Sequence, residues 1–351
     1  MPKIVPKIAV VLFNLGGPDR PDSVQPFLFN LFYDPAIIAL PNPFRWLIAT
    51  LVSRRRAPVA REIYEHIGGG SPLLANTQAQ AAALAAVLRD LGEVRVFPCM
   101  RYWHPMSADV VAAVQAFAPD RVILLPLYPQ FSSTTTASSD RAWRQAAAEA
   151  GLSVPTQLIC CYPTEAGFVS SIAERTRHGI AEASGGMAGQ QPRVLFSAHG
   201  LPKKVVARGD PYPDQVEETA AAIARLLELR AEDWVVCYQS RVGPLEWIGP
   251  STDAELRRAG ADGVPVVVVP IAFVSEHSET LVELDIEYRR LAEEIGIPRY
   301  VRVATVGTDA AFIEGAAAQV RAALAEEGNV RSQSGPRRCA ADQSCCPNKA
   351  A

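Results

Sequence analysis

A chain of 351 residues is long enough for two ordinary domains and a substantial core, and its 49% hydrophobic and 20% charged content is that of a soluble globular protein. A formal net charge of -3 gives no support to a general nucleic-acid binder, because neutralising phosphates needs a basic surface, so the expected partner is a small molecule. Seven cysteines, unevenly placed in a chain of this length, do not read as a disulfide-stapled secreted domain.

The opening stretch MPKIVPKIAVVLFNLGGP lacks the long apolar core and small-residue cleavage site of a secretory signal, and its apolar run reads as a strand. A cytoplasmic location is the expectation. From Phe27 to Val52 the chain is strongly apolar, yet Asp34, Pro35, Pro41, Pro43 and Arg45 interrupt it too often for a spanning helix. This segment is expected to form a pocket lip or to make peripheral contact with the inner membrane. NLGGP and GGGSP, the latter at residues 68–72, match neither the dinucleotide fingerprint nor the P-loop and read as tight turns.

Short β-branched runs then alternate with longer Ala/Leu/Arg/Glu stretches of helical period, the pattern of βαβ units and a mostly parallel sheet. The strand candidates are KIAVVLFN, VRVFPC, RVILLPLY, TQLICC, RVLFSA, DWVVCYQS and PVVVVPIA. Helix candidates include TQAQAAALAAVLRDL, SADVVAAVQAFA, PDQVEETAAAIARLLELR and TLVELDIEYRRLAEEI. A weak internal echo, AVVLFNLGGP against RVLFSAHGLP and VILLPLYPQFSSTTT against VVVVPIAFVSEHSET, predicts two similar open-sheet α/β domains. The crossover between halves falls between GLSVPTQLICCYPTEAGF and SGGMAGQQP. The expected division is residues 1–170, residues 171–330, and a polar Cys-bearing tail over 331–351.

In open α/β sheets ligands bind beyond the carboxyl ends of the strands, where both SAHG and SEHSE fall. His199 there has its backbone placed by a strand end. Glu279, Glu283 and Glu287 recur every four residues behind His277, which at 3.6 residues per turn gives one drifting acidic stripe. Taken alone, such a stripe is a solvated face near a helix N-terminus, and a lone histidine is a packed or surface residue. Their shared position at strand ends makes one cleft the sharper reading.

VLFNLGGP, GGGSPL, MRYWHP, PLYPQFSSTTTASS, FSAHGLPKKVVARGDPYP, YQSRVGPLEWIGPSTD and VPIAFVSEHSETLVELDIEY together resemble ferrochelatase, in order along most of the chain. The resemblance implies two Rossmann-like domains with mostly parallel sheets and a porphyrin cleft between them. It implies insertion of Fe²⁺ into protoporphyrin IX to give protoheme, the last step of heme biosynthesis. Metal insertion requires a base for two pyrrole protons, an iron route and apolar walls; imidazole accepts a proton or binds Fe²⁺, and carboxylates pass ions or protons. By resemblance, His199 and Glu279 are the catalytic pair, and Glu283 and Glu287 continue a metal path from them. Leu15, Arg56, Tyr64, Ser71, Arg101, Tyr102, Trp247 and Phe273 line or edge the porphyrin site, with Arg56 and Ser71 suited to propionates. Two positions depart from the family pattern: Glu276 stands where many relatives have Asp, and Tyr238 where they have Trp. Insertion of iron into coproporphyrin III, or of cobalt into a related tetrapyrrole, stays open, as does a noncatalytic heme or iron-sulfur sensor on the same fold; retention of both His199 and Glu279 favours the enzyme.

Cys339, Cys345 and Cys346 crowd the tail, where no helix or strand pattern explains them as packed hydrophobes. Some ferrochelatases hold a [2Fe-2S] cluster through three tail cysteines and one internal cysteine. Ser133 stands at the internal position used by animal members, which leaves Cys160 or Cys161 as the candidate fourth ligand. Cys99 and Cys237, inside strand-like runs, read as core.

Overall fold

A computed structural model describes residues 5–185, 191–241, 243 and 245–348. The chain forms two compact units, one built from residues up to Tyr162 with Ala316–Arg338 and the chain from Pro347, the other from Pro163–Gly315 and Cys339–Cys346. Each is a parallel sheet with helices. In the first, β1 (Lys7–Asn14), β2 (Glu93–Met100), β3 (Arg121–Pro126) and β4 (Thr156–Ile159) stand in the order β2-β1-β3-β4. The second holds β5 (Arg193–His199), β6 (Trp234–Gln239), β7 (Val266–Pro270) and β8 (Tyr300–Arg302) in the order β6-β5-β7-β8. One strand order is thus used twice, which is what the internal echo predicts. β1 and β7 are apolar without alternation because a central parallel strand is buried on both faces: β7 is buried throughout, and Ile8 to Phe13 are nearly inaccessible.

Around the sheets, the helix Tyr212–Leu226 buries Tyr212, Val216, Ala220 and Ile223, the spacing of one helical stripe. Near the start of the first unit, the helices Val24–Tyr33 and Phe44–Glu65 share a core of Val24, Phe27, Leu28, Ala57, Tyr64 and Tyr102. That packing leaves Phe44, Trp46, Leu47 and Leu51 of the apolar segment exposed. No helix among the described residues is long and apolar enough to cross a membrane.

Three expectations need correction. The division expected at 170 falls at Tyr162, so residues 163–170 belong to the second unit, and residues 316–330 pack with the first, where Arg121 reaches the Ala323 carbonyl and the chain returns to the first sheet at its end. The tail is not wholly irregular: β9 (Val330–Arg331) extends the first sheet beside β4, with Cys160 N–H donating to the Arg331 carbonyl at 2.7 Å, and Cys346 is buried. The acidic helix is not α-helical where its glutamates lie. Glu279–Glu287 is wound as a π-helix and only Tyr288–Glu294 continues as α. Of the crossover segment, residues 186–190 lie outside the described residues.

Candidate active site

Three carboxyl strand ends of the second unit deliver its polar groups. β5 ends on His199, β6 is followed by Ser240, and the turn after β7 leads into the π-helix at Glu279. His199 Nδ1 lies 2.7 Å from the carbonyl oxygen of Gly200, so in the neutral ring Nδ1 carries the hydrogen and Nε2 keeps its lone pair. That Nε2 faces Glu279 Oε2 at 3.8 Å, with the histidine side chain 40% exposed. Buried Tyr212 hydrogen-bonds the backbone of His199, and its phenol is pushed well above the ordinary range by burial and by neighbouring Tyr238 and Glu279. The catalytic-pair candidates therefore come together as an open base with a nearby carboxylate.

Glu283 is held by residues outside the set expected from the sequence. Ser240 donates its backbone N–H to Glu283 Oε1 at 2.8 Å and its hydroxyl to Oε2, while Gln239 Nε2 donates to Oε2 at 3.2 Å and to the Glu279 carbonyl at 3.2 Å. Buried Gln239 is itself fixed by the Ser197 hydroxyl at 2.7 Å. Ser240 adopts φ +61°, a left-handed backbone that a non-glycine residue takes up at a cost. Burial, then the charge of Glu279, raises the Glu283 pKa against the pull of the Ser240 bonds. Buried His277, whose Nδ1 accepts from the Glu279 N–H at 3.1 Å, has its pKa lowered chiefly by desolvation and acts as a neutral cap. Glu287 stands exposed at the far end of the π-helix.

The π winding changes the stripe. Side chains four apart on an α-helix drift by about 40°. A π turn, closed by i→i+5 bonds, holds more residues and reduces that drift, so Glu279, Glu283 and Glu287 lie closer to one line than α-periodicity allows. Trp247 stands with its ring centroid 6.5 Å from that of His199, on a segment bridged to Pro202, and Phe273 sits 4.6 Å from the His277 ring. Both flank the histidines at the same strand ends.

In the first unit, Leu15 follows β1 and the pair Arg101 and Tyr102 follows β2; the Arg101 and Tyr102 N–H groups donate to the carbonyls of Asn14 and Leu15 at 2.8 and 3.0 Å. Leu15, Tyr64 and Tyr102 belong to one apolar cluster, with Tyr102 only 1% exposed. A Cβ on Gly17 would stand 2.5 Å from the Ser71 side chain, so only glycine admits Ser71 there. Arg56 is exposed, its guanidinium over the Phe32 ring. Arg101 donates to the Ser138 hydroxyl and to buried Asp34 at 2.8 Å, and Tyr102 also donates to Asp34. Burial would raise Asp34, but the Arg101 charge and the bonds from Ser138, the Ala36 N–H and Tyr102 outweigh it and hold the carboxyl below its ordinary 3.8.

A family profile for ferrochelatase matches residues 7–324. A protein named ferrochelatase from Caulobacter vibrioides is 52% identical over 344 residues, 97% of each chain, and one from a Wolbachia strain of Drosophila simulans is 50% identical over 312 residues, 88% of this chain and 96% of that one. The chain belongs to the ferrochelatase family. It is accordingly a metal-chelating enzyme of heme biosynthesis, with ferrous iron and a porphyrin as substrates. Among solved structures, SirB from Bacillus subtilis with Fe³⁺ is 12% identical with a TM-score of 0.51, covering 91% of this chain and 96% of that one. The sirohydrochlorin chelatase SirB of Bacillus subtilis subspecies spizizenii with cobalt is 13% identical with a TM-score of 0.50, covering 90% and 94%. At such identities the likeness shows the fold: two parallel-sheet α/β domains.

Family membership sharpens the question of the tail cysteines. Cys339 Sγ accepts from Gln215 Nε2 at 3.5 Å, and Cys345 Sγ lies 3.4 Å from the Arg208 carbonyl, with the Cys345 N–H on the Gly209 carbonyl. Gly209, at φ +89°, admits this segment because a Cβ there would stand 2.7 Å from the Ser344 nitrogen. Burial holds the Cys345 thiol above its ordinary 9.0. Cys160 and Cys161 are buried just past β4 with their sulfurs 3.6 Å apart. Thiols are the right donors for an iron-sulfur group. Among the described residues, however, no three His, Cys, Asp or Glu side chains are gathered as a metal-holding set, in the tail or around His199. Cys99 and Cys237 are core residues, each with its thiol pushed up to about 12 by burial.

Proposed function

We propose that the chain inserts Fe²⁺ into protoporphyrin IX to form protoheme, with His199 Nε2 as proton acceptor and Glu279 as its partner. The observation that carries this reading is the pairing of an imidazole whose Nδ1 is fixed by a backbone carbonyl with a carboxylate 3.8 Å from Nε2, at the open end of a rigid strand. Each Fe²⁺ bound by the ring displaces two pyrrole protons. The first passes to Nε2, giving an imidazolium stabilised by Glu279; handed on through Glu279 to Glu283 and solvent, it frees Nε2 to accept the second. Glu283, its proton affinity raised by burial and by Glu279, is suited to exchange protons with that pair, and Glu287 continues the polar line to solvent as the iron route. Leu15, Trp247 and Phe273 supply apolar wall, Tyr64 and Tyr102 back it, Arg101 lies at its edge, and Arg56 and Ser71 meet the propionates. Turnover of purified protein with Fe²⁺ and either protoporphyrin IX or coproporphyrin III tests this; preference for the latter overturns the substrate assignment.

The exposed face of Phe44, Trp46, Leu47 and Leu51, followed by Arg54, Arg55 and Arg56, supports peripheral contact with the cytoplasmic side of an anionic membrane. Vesicle flotation without binding removes that contact. For the cysteines, Cys339, Cys345 and Cys346 with one of Cys160 and Cys161 are the four thiolates that would hold a [2Fe-2S] group, which would tie down the tail. Iron and acid-labile sulfide in anaerobically purified protein test it, and a sulfide-free protein after reconstitution rejects it.

A further inference from the structure

One side chain that neither touches the His199 site nor belongs to the acidic π-helix ties that helix, at Asp285, to Glu276 in the segment just ahead of it. Arg302 ends β8 with its side chain only 9% exposed. Its Nη1 donates to Glu276 Oε1 at 2.6 Å, its Nε to Asp285 Oδ1 at 3.0 Å, and its Nη2 to Asp285 Oδ2. Glu276 is completed by the Thr305 N–H at 2.9 Å and by the Thr280 hydroxyl. The two carboxylates bracket Glu279 and Glu283 in the chain.

Winding decides whether one guanidinium can hold both. From the helix start at Glu279 to Asp285 is six residues, which α winding would make about one and two-thirds turns. With i→i+5 winding and more than four residues per turn, the same six residues make fewer than about one and a half turns, so rewinding as α would swing Asp285 round the helix and away from a guanidinium held by Glu276 ahead of it. A π-helix is rare because α winding ordinarily wins, so a buried bidentate clamp across this span is a physical reason for its persistence here. If the helix rewound as α, the Glu283 end would rotate relative to Glu279. Glu283 would then leave the Ser240 clasp, or Glu279 would leave His199.

We propose that Arg302 is a positioning residue for iron insertion: its fork on Glu276 and Asp285 holds the π winding that keeps Glu279 at His199 and Glu283 at Ser240. The inference rests on the assignment of His199, Glu279 and Glu283 above, and deepens it.

The test uses the full-length enzyme with Arg302→Lys, which keeps the charge and loses the fork, and Asp285→Asn, which leaves the Glu276–Arg302 pair intact should the first variant fold poorly. Each is measured for kcat, KM for iron and KM for porphyrin, alone and combined with Glu279→Gln. For a displacement of catalytic groups on the order of 1 Å, kcat should fall roughly tenfold to a hundredfold, with porphyrin KM within about twofold of wild type. Because Arg302 acts through Glu279, the same substitutions in the Glu279→Gln background should cost only about twofold. A wild-type kcat in both single variants, a full multiplicative loss in the doubles, or a porphyrin KM that rises in step with the loss of kcat overturns the inference. If Glu279→Gln alone turns over normally, the underlying assignment fails instead.

Discussion

At the carboxyl ends of β1 and β2 the charged groups neutralise one another: Asp34 is inaccessible and takes bonds from Arg101, Tyr102, Ser138 and the Ala36 N–H. At the matching ends of β5, β6 and β7 the groups are left with capacity to spare, since His199 has a free Nε2 lone pair, Glu279 is partly exposed, and Glu283 has its proton affinity raised by burial and a like charge. The strand order is the same in both sheets. Topology therefore fixes where a site forms, while the local balance of donors and acceptors fixes whether it holds a shape or moves protons and metal.

The sharpest way to break this contrast is to remove charge from the second unit without changing its volume. Glu279→Gln should lower kcat on the order of 10²- to 10³-fold with porphyrin KM nearly constant, as steady-state assays with iron and porphyrin varied separately would show. The corresponding change in the first unit should act on stability instead. Asp34→Asn leaves the Arg101 guanidinium without its buried partner and is expected to cost about 3 kcal/mol in urea unfolding. Its sign with pH is set by the lowered carboxyl: the Asp34 contribution is fully present above the unfolded value near 3.8 and is lost as pH falls through the lower folded value. The variant should thus lose the wild-type advantage at neutral pH and converge with wild type in acid. A constant deficit down to the lowest pH would contradict the pairing.

Smaller effects refine the picture. Ser240→Ala keeps the backbone N–H on Glu283 and removes the hydroxyl, so about 1.5 kcal/mol, or roughly tenfold in kcat, is expected; a rate equal to wild type would show that the hydroxyl is idle. At the lip, Phe44→Ser should change stability by no more than about 0.5 kcal/mol, because the residue is 61% exposed, while weakening flotation with anionic vesicles.

Much of this architecture is legible in the amino-acid sequence. The unbroken apolar run of β1, the valines of β7 and the helical period of Tyr212–Leu226 are signals that burial itself imposes. The four-residue spacing of the glutamates and the position of His199 at a strand end point to one place, and both lie there. The features that local pattern does not reveal depend on tertiary contacts. β8 and β9, three and two residues long, carry too little pattern to register. The π winding is invisible because the apolar residues of Glu279–Glu287 satisfy an α period as well, and the clamp that selects it, Arg302, lies on another element. Ser240 carries no glycine to announce a left-handed turn. The return of residues 316–338 to the first unit and the burial of Cys346 likewise follow from long-range packing, which polar local composition conceals.

The most direct test of the central claim is single-turnover formation of protoheme from Fe²⁺ and protoporphyrin IX by His199→Ala, followed by absorbance alongside circular dichroism of the same sample. His199 holds only the exposed end of β5, so the fold should be unchanged, and removing the proton acceptor should slow insertion at least about 10³-fold. Insertion within about threefold of wild type by a folded variant would contradict the assignment of His199 and, with it, of the second unit as the seat of the chemistry.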